Sequence, residues 1–196
     1  MKIELKKILQ VFNSLLYVFF ICFMVYMLIT SYSTMKLSQI LQLLCIFPLI
    51  MVPYVLDKIK GYQIDEKLIF FYYLFLLFAL VMGSILKVFY QIWWFDLFTH
   101  FLSGILTSVF AYIILEKYQL TSYQYRFFAL LFILAFTVFV AGCWEYFEFT
   151  CDKLFSSDVQ WVAKTGVDDT MTDMLIATLG GILSSIYYYI QIRNKK

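Results

Sequence analysis

The chain has 196 residues, of which 63% are hydrophobic and only 14% charged, and it carries 22 Phe and 16 Tyr against 7 Gly and 2 Pro. An ordinary soluble domain has about 25% charged residues, so the charged complement here is too thin to cover a globule in water. The same numbers exclude a disordered chain, a collagen-like chain and a disulfide mini-protein, and leave one integral membrane domain over residues 1–196 as the expected class.

A membrane-crossing helix needs roughly 20 mostly apolar residues. Six such runs follow in chain order, at about 11–30, 37–56, 68–87, 95–116, 127–150 and 171–191. Their backbone polar groups have no water to bond to in lipid, which makes them helices. Unbroken hydrophobicity is the wrong pattern for a membrane β-barrel, whose strands alternate over about 10 residues. The fold class expected is therefore all-α, a polytopic transmembrane bundle of about six spans.

The first run follows Lys2, Lys6 and Lys7 and precedes Ser31-Tyr32-Ser33, which loosely mimics a signal-peptidase site. Its apolar stretch is longer than the 7–15 residues or so of a signal-peptide core, so it is read as a retained span. Pro48 and Pro53 lie in the second run and predict kinks that neighbouring helices absorb.

Basic residues set the orientation. With six spans, one side carries Lys2, Lys6, Lys7, Lys58, Lys60, Lys67, Lys117, Arg126, Arg193, Lys195 and Lys196, and the other only Lys36, Lys87, Lys153 and Lys164. Eleven against four places both termini in the cytoplasm of a bacterial cell membrane. Trp93, Trp94, Trp144 and Trp161 then fall near the outer boundary as an aromatic belt. Membrane lipids are the expected surroundings, and no basic patch suggests nucleic acid. Cys22, Cys45, Cys143 and Cys151 have no framework spacing and read as small hydrophobes.

The acids divide differently from the bases. Glu4, Asp57, Asp65, Glu66 and Glu116 fall on the cytoplasmic side among Lys and Arg. Asp96, Glu145, Glu148, Asp152, Asp158, Asp168, Asp169 and Asp173 lie at or beyond the outer ends of the last three spans, where the only histidine, His100, joins them.

On the fourth span Asp96 and His100 are spaced i, i+4 and share a face one turn inside the boundary. Ser103 and Thr107 continue that face, and Gly104 admits another backbone. A plainer reading makes Asp96 an N-cap and His100 a buried hydrogen-bonded histidine. On the fifth span Glu145, Glu148 and Asp152 form one stripe at a C-terminal end, where the macrodipole disfavours anions by roughly 0.3–1 kcal/mol each. Protonation, a basic side chain such as Lys153 or Lys164, or a metal cation must compensate. On the sixth span Asp168, Asp169 or Thr170 can cap the N-terminus. Asp173 lies deeper, on a stripe continued by the small residues Ala177, Gly180 and Gly181.

If the three helices pack together, the inner set is Asp96, His100, Glu145, Glu148, Asp169 and Asp173. One imidazole among carboxylates is an oxygen-rich site for a divalent metal, Mg²⁺, Mn²⁺ or Zn²⁺. The spacing matches none of the strongly diagnostic metal or nucleotide motifs.

The strings Trp93-Trp94-Phe95-Asp96-Leu97-Phe98-Thr99-His100-Phe101-Leu102-Ser103-Gly104, Trp144-Glu145-Tyr146-Phe147-Glu148 and Asp168-Asp169-Thr170-Met171-Thr172-Asp173 resemble the YjdF-like family of bacterial inner-membrane proteins. That resemblance runs from about the third span to the end and implies a small polytopic membrane protein with no settled activity. A second similarity, to VanZ-like proteins linked to glycopeptide resistance, rests on an acid in one span followed by Asp173-Met174-Leu175-Ile176-Ala177-Thr178-Leu179-Gly180-Gly181.

Three functions compete. The first is a metal-dependent enzyme acting on a lipid-linked or other small substrate, with His100, Glu145 and Glu148 as the catalytic candidates and His100 as the proton-transfer group. The second is a cation or proton binding or transport protein, whose acids trade ions against protonation. The third is a non-catalytic membrane scaffold, in which the acids only lock helices together.

Overall fold

The computed structural model describes residues 2–31, 33–34, 37–59, 64–155, 160 and 165–194. Of the residues weighed for orientation, the outer belt and charge compensation, Tyr32, Lys36, Lys60, Asp158, Trp161, Lys164, Lys195 and Lys196 lie outside the described residues.

The protein is an all-α polytopic bundle, and no strand occurs among the described residues. Its helices are α1 (Lys2–Ser31), α2 (Leu37–Lys58), α3 (Glu66–Leu76), α4 (Phe95–Lys117), α5 (Arg126–Phe155) and α6 (Asp168–Arg193). Among the described residues five stretches are long and apolar enough to cross a membrane: Glu4–Ser31, Glu66–Ile85, Phe95–Lys117, Tyr123–Phe155 and Asp168–Arg193. The sixth apolar run forms the 22-residue α2, with Pro48 and Pro53 inside it. Large apolar side chains such as Ile29, Leu131, Phe139 and Leu175 stand exposed. That is the surface expected where hydrocarbon is the solvent and burying them brings no gain.

Two compact units divide the chain, Met1–Gln91 and Ile92–Lys196. In the first, α1 packs against α2 and α3 around Phe20, Leu43, Ile46, Ile50, Tyr73 and Leu76. Pro53 has no N–H, so the carbonyl of Leu49 one turn earlier loses its helical partner. The hydroxyl of Tyr72 donates to that carbonyl at 2.9 Å, and Tyr73 donates to the carbonyl of Ile50 at 3.1 Å. Tyr72 thus repairs the break from a neighbouring helix. Beyond α3 the chain continues as a π-helical segment, Leu77–Ile85, closed where Lys87 adopts a left-handed backbone with φ 59°.

In the second unit α4, α5 and α6 all touch one another. The helices α4 and α6 run parallel, and α5 runs against both. Small residues set their spacing. A Cβ at Gly104 would overlap the Ala177 carbonyl, and one at Gly180 would lie 2.5 Å from the Phe101 carbonyl oxygen. On the α5 side, Gly181 lies against Thr137, whose hydroxyl pairs with Ser108 at 3.0 Å. Toward the ends bearing Lys117 and Arg126 the core is apolar, built from Ala111, Leu115, Ala129, Ile133 and Ile192. Tyr112 and Tyr188 stack beside it at 4.0 Å between centroids.

Overpacking a tight contact costs about 1–3 kcal/mol. Gly180→Ala is expected to lower the thermal unfolding midpoint in detergent. Gly142→Ala, whose added Cβ would meet only the Met174 Cε at 3.8 Å, leaves it unchanged. Tyr72→Phe strands the Leu49 carbonyl and should destabilise the protein by about 1 kcal/mol, read in the same melt.

Candidate metal centre

The register of α4 against α6 decides which polar groups meet. Gly104 meets Ala177 backbone to backbone. One turn back on each of these parallel helices stand His100 and Asp173. His100 Nε2 lies 3.6 Å from Asp173 Oδ2 and 3.6 Å from Asp96 Oδ1, the latter one turn away on α4 itself. One ligand atom from each of Asp96, His100 and Asp173 falls within 4.8 Å of the other two. The i, i+4 pair was legible from spacing; its closure by Asp173 is a tertiary event.

These contacts are too long for hydrogen bonds. They approach the separation of about 3.4 Å between neighbouring donors around a tetrahedral ion held at 2.0–2.1 Å. Asp173 is 3% exposed, and its Oδ1 is buried without a hydrogen-bond partner. Such an oxygen is costly unless something electropositive meets it. Among the described residues no Lys or Arg forms an ion pair with Asp96, His100 or Asp173.

The flanking hydroxyls are engaged within α4. Thr99 donates to the Asp96 carbonyl, Ser103 to the His100 carbonyl, and Thr107 to the Ser103 and Gly104 carbonyls. Asp96 does not cap α4. The N-cap residue is Trp94, with no side-chain cap bond, and Asp96 sits in the first turn. Likewise α6 begins at Asp168 after Val167, again without a side-chain cap bond, so Asp168 and Asp169 occupy the first turn rather than the cap. Both placements still favour anions through the helix dipole.

Glu145, Glu148 and Asp169 stand around this group rather than within its tightest set. Glu145 is buried on α5, eight residues past Thr137. His100 and Asp173 lie eight residues back from Ser108 and Gly181 on the other two helices. At 1.5 Å per residue all three sit about 12 Å from the hydroxyl layer. The carboxylate of Glu145 accepts from Gln160 Nε2 at 3.3 Å and from the Thr170 hydroxyl. The half-buried Glu148 is held by the Trp144 indole and lies within electrostatic reach of Asp96, Glu145 and Asp173. Asp169 lies within the same reach of Asp96 and Asp173.

Lys153, one candidate for compensating these acids, stands over the Phe149 ring at 5.3 Å. Asp152, at the end of the α5 stripe, accepts from the Gln160 backbone N–H at 3.1 Å.

Gln160 itself was not singled out by sequence. It is 6% exposed and bonds to Glu145, Thr170 and Asp152. It also donates to the Glu145 carbonyl at 3.2 Å, near the C-terminal end of α5. A lone amide in a connecting segment has no periodicity to betray it. The only available signal was its placement between two acid-bearing helices.

Residues 12–194 match the family described as predicted membrane protein DUF2238. The chain belongs to that family. It is a multi-pass membrane protein, as the family description and the five crossing-length stretches agree. It is 33% identical over 135 residues to a protein of Thermotoga maritima named only as uncharacterized, covering 65% of this chain and 65% of that one. The chain thus spans just under two thirds of that relative's length. No solved structure matches it.

Gln160→Leu removes one of the two donors to the Glu145 carboxylate at a buried site. It should cost about 1–3 kcal/mol, seen as a lower unfolding midpoint. Adding Glu145→Gln on that background should recover part of the loss.

Proposed function

We propose that Asp96, His100 and Asp173 hold a divalent cation, and that this DUF2238 protein is a metal-dependent membrane enzyme acting on a lipid-linked phosphate substrate. The observation that carries the reading is Asp173, with Oδ2 3.6 Å from His100 Nε2 and Oδ1 buried without a hydrogen-bond partner. Three protein donors leave coordination positions open, the arrangement of catalytic rather than structural metal sites. A His with two carboxylates suits Zn²⁺ or Mn²⁺, and Mg²⁺ through its oxygens. Bound there, the cation would polarise a phosphoryl oxygen or activate a water. Glu148 is the candidate general base, because Gln160 and Thr170 already occupy Glu145. His100, bound through Nε2, would be a ligand first.

The charges on α4 to α6 alone support an outward-facing site. Lys117, Arg126 and Arg193 cluster at the end of the unit away from Asp96. The positive-inside rule assigns that end to the cytoplasm and the metal site to the outer headgroup region, where lipid-linked substrates are within reach. The YjdF-like resemblance agrees with a bacterial inner membrane. The VanZ-like similarity adds only the acid and small-residue stripe of 173–181. Transport finds less support, because the apolar core from Ala111 to Ile192 offers no ionisable relay through the unit.

Elemental analysis of detergent-purified protein should find about one equivalent of Zn, Mn or Mg, lost on chelation. Readdition should raise the unfolding midpoint, through a mass-action stabilisation of about 2.7 kcal/mol at a hundred times the dissociation constant. Asp173→Asn and His100→Ala should abolish that rise and any turnover of lipid-linked phosphate. Metal-free protein whose stability ignores every added cation would end the proposal.

A further inference from the structure

A second buried oxygen lacks a partner, in the Met1–Gln91 unit. Asn13 on α1 is 6% exposed. Its Nδ2 donates to the Glu66 backbone carbonyl at 3.0 Å and to Glu66 Oε2 at 2.9 Å. Gln10 Nε2 donates to Glu66 Oε1 at 2.9 Å. A carboxylate and a carbonyl only accept, so the Asn13 amide nitrogen must face Glu66. Its Oδ1 is therefore turned the other way, buried, and accepts no hydrogen bond.

Asn13, Gln10 and Glu66 line a cavity of about 820 Å³, shared with Tyr17, Tyr54, Asp57 and Tyr73. Both hydrogens of the Asn13 amide are used on Glu66. Ser14 donates to the Gln10 carbonyl, Tyr17 to Met51 Sδ and Tyr73 to the Ile50 carbonyl. With so many donors engaged inside the protein, the surface left to a ligand is rich in acceptors. It comprises the carboxylates of Glu66 and Asp57 and tyrosine ring faces, with Val18, Pro53 and Ile69 as apolar wall. No Lys or Arg is among the lining residues described. Tyr54 already carries a cation, the Lys58 ammonium 5.3 Å from its ring centroid.

We propose that this cavity binds a primary ammonium group carried on an apolar body. An ammonium brings three donors and no acceptor, matching what is left over, and aromatic rings attract it through their faces. The volume lies within the range of roughly 300–1,000 Å³ for organic ligands and far exceeds what a bare metal ion requires. Two sources share this chemistry, the ethanolamine headgroup of a phospholipid and a free aliphatic amine.

The test uses the full chain purified in detergent and titrated with hexylamine, with N-acetylhexylamine as the uncharged control. Parallel samples in nanodiscs of phosphatidylethanolamine or phosphatidylcholine are read by native mass spectrometry for retained lipid. Saturable binding of hexylamine without binding of the acetylated control supports the site. So does selective retention of phosphatidylethanolamine, which names the lipid as the source. Glu66→Gln, close to isosteric, should weaken binding about ten-fold or more, the size of a lost charge-assisted contact. Asp57→Asn, at the exposed rim, should weaken it less, and both should keep wild-type helix content by circular dichroism. Binding of neither source overturns the proposal. Equal binding of the acetylated control, or wild-type affinity in Glu66→Gln, does so as well.

Discussion

Two parallel helices that touch backbone to backbone govern the chemistry of the Ile92–Lys196 unit. The contacts of Gly104 with Ala177 and of Gly180 with Phe101 leave no room for a side chain on either glycine. In lipid, apolar burial adds nothing to helix association, and such close approach supplies the dispersion that holds helices together. Because α4 and α6 run the same way, one contact fixes the register at every turn above and below it. His100 and Asp173 therefore face each other by the same geometry that packs Ala177 onto Gly104. Small residues and acids are parts of a single device.

That register creates an electrostatic problem. It brings Asp173 to His100 and Asp96, while α5 carries Glu145 to the same height and Glu148 within electrostatic reach. Dipoles relieve part of it. Asp96, Asp168 and Asp169 stand in first turns, where a helix welcomes anions. Glu145 and Glu148 sit toward the opposite kind of end, and each has hydrogen-bond donors, Gln160 and Thr170 for one and Trp144 for the other. Asp173 has the imidazole on one oxygen and nothing on the other. The imbalance is thus concentrated at one atom, beside the two other groups able to complete a coordination shell.

The helices were legible because hydrocarbon imposes a single demand, a long apolar run, and the runs obey it. Boundaries moved where that demand lapses. α1 starts at Lys2 rather than near residue 11, since charged residues in the headgroup region continue a helix without adding hydropathy. The third run ends as a π-helical segment, a matter of hydrogen-bond pattern that composition does not encode. The one-sided gathering of acids was visible, and so was the Asp96–His100 pair, because each depends on order along one helix. The meeting of His100 with Asp173 depends on register between helices, which the small-residue stripe permits without specifying a partner. Caps were misplaced by one or two residues because Trp94 and Val167 begin the helices without any side-chain bond, so no capping residue marks the start. Gln160 and the repair of Pro53 by Tyr72 were invisible for a common reason: a single polar side chain acting across helices leaves no period.

Along the second unit polarity falls in steps. Asp96, His100, Glu145, Glu148 and Asp173 stand toward one end. Next comes a layer of hydroxyls, Ser108 with Thr137, whose donors are turned onto backbone carbonyls or each other. The other end is packed apolar around Leu115 and Ile133. Between the level of His100 and Asp173 and Glu116 at the far end, α4, α5 and α6 carry no carboxylate or imidazole. Such a gradient closes the site from below and leaves its approach through the partly exposed Asp96. The carboxylates and the imidazole of the candidate site are thus gathered toward one end of these three helices, with hydroxyls and then apolar residues beneath them.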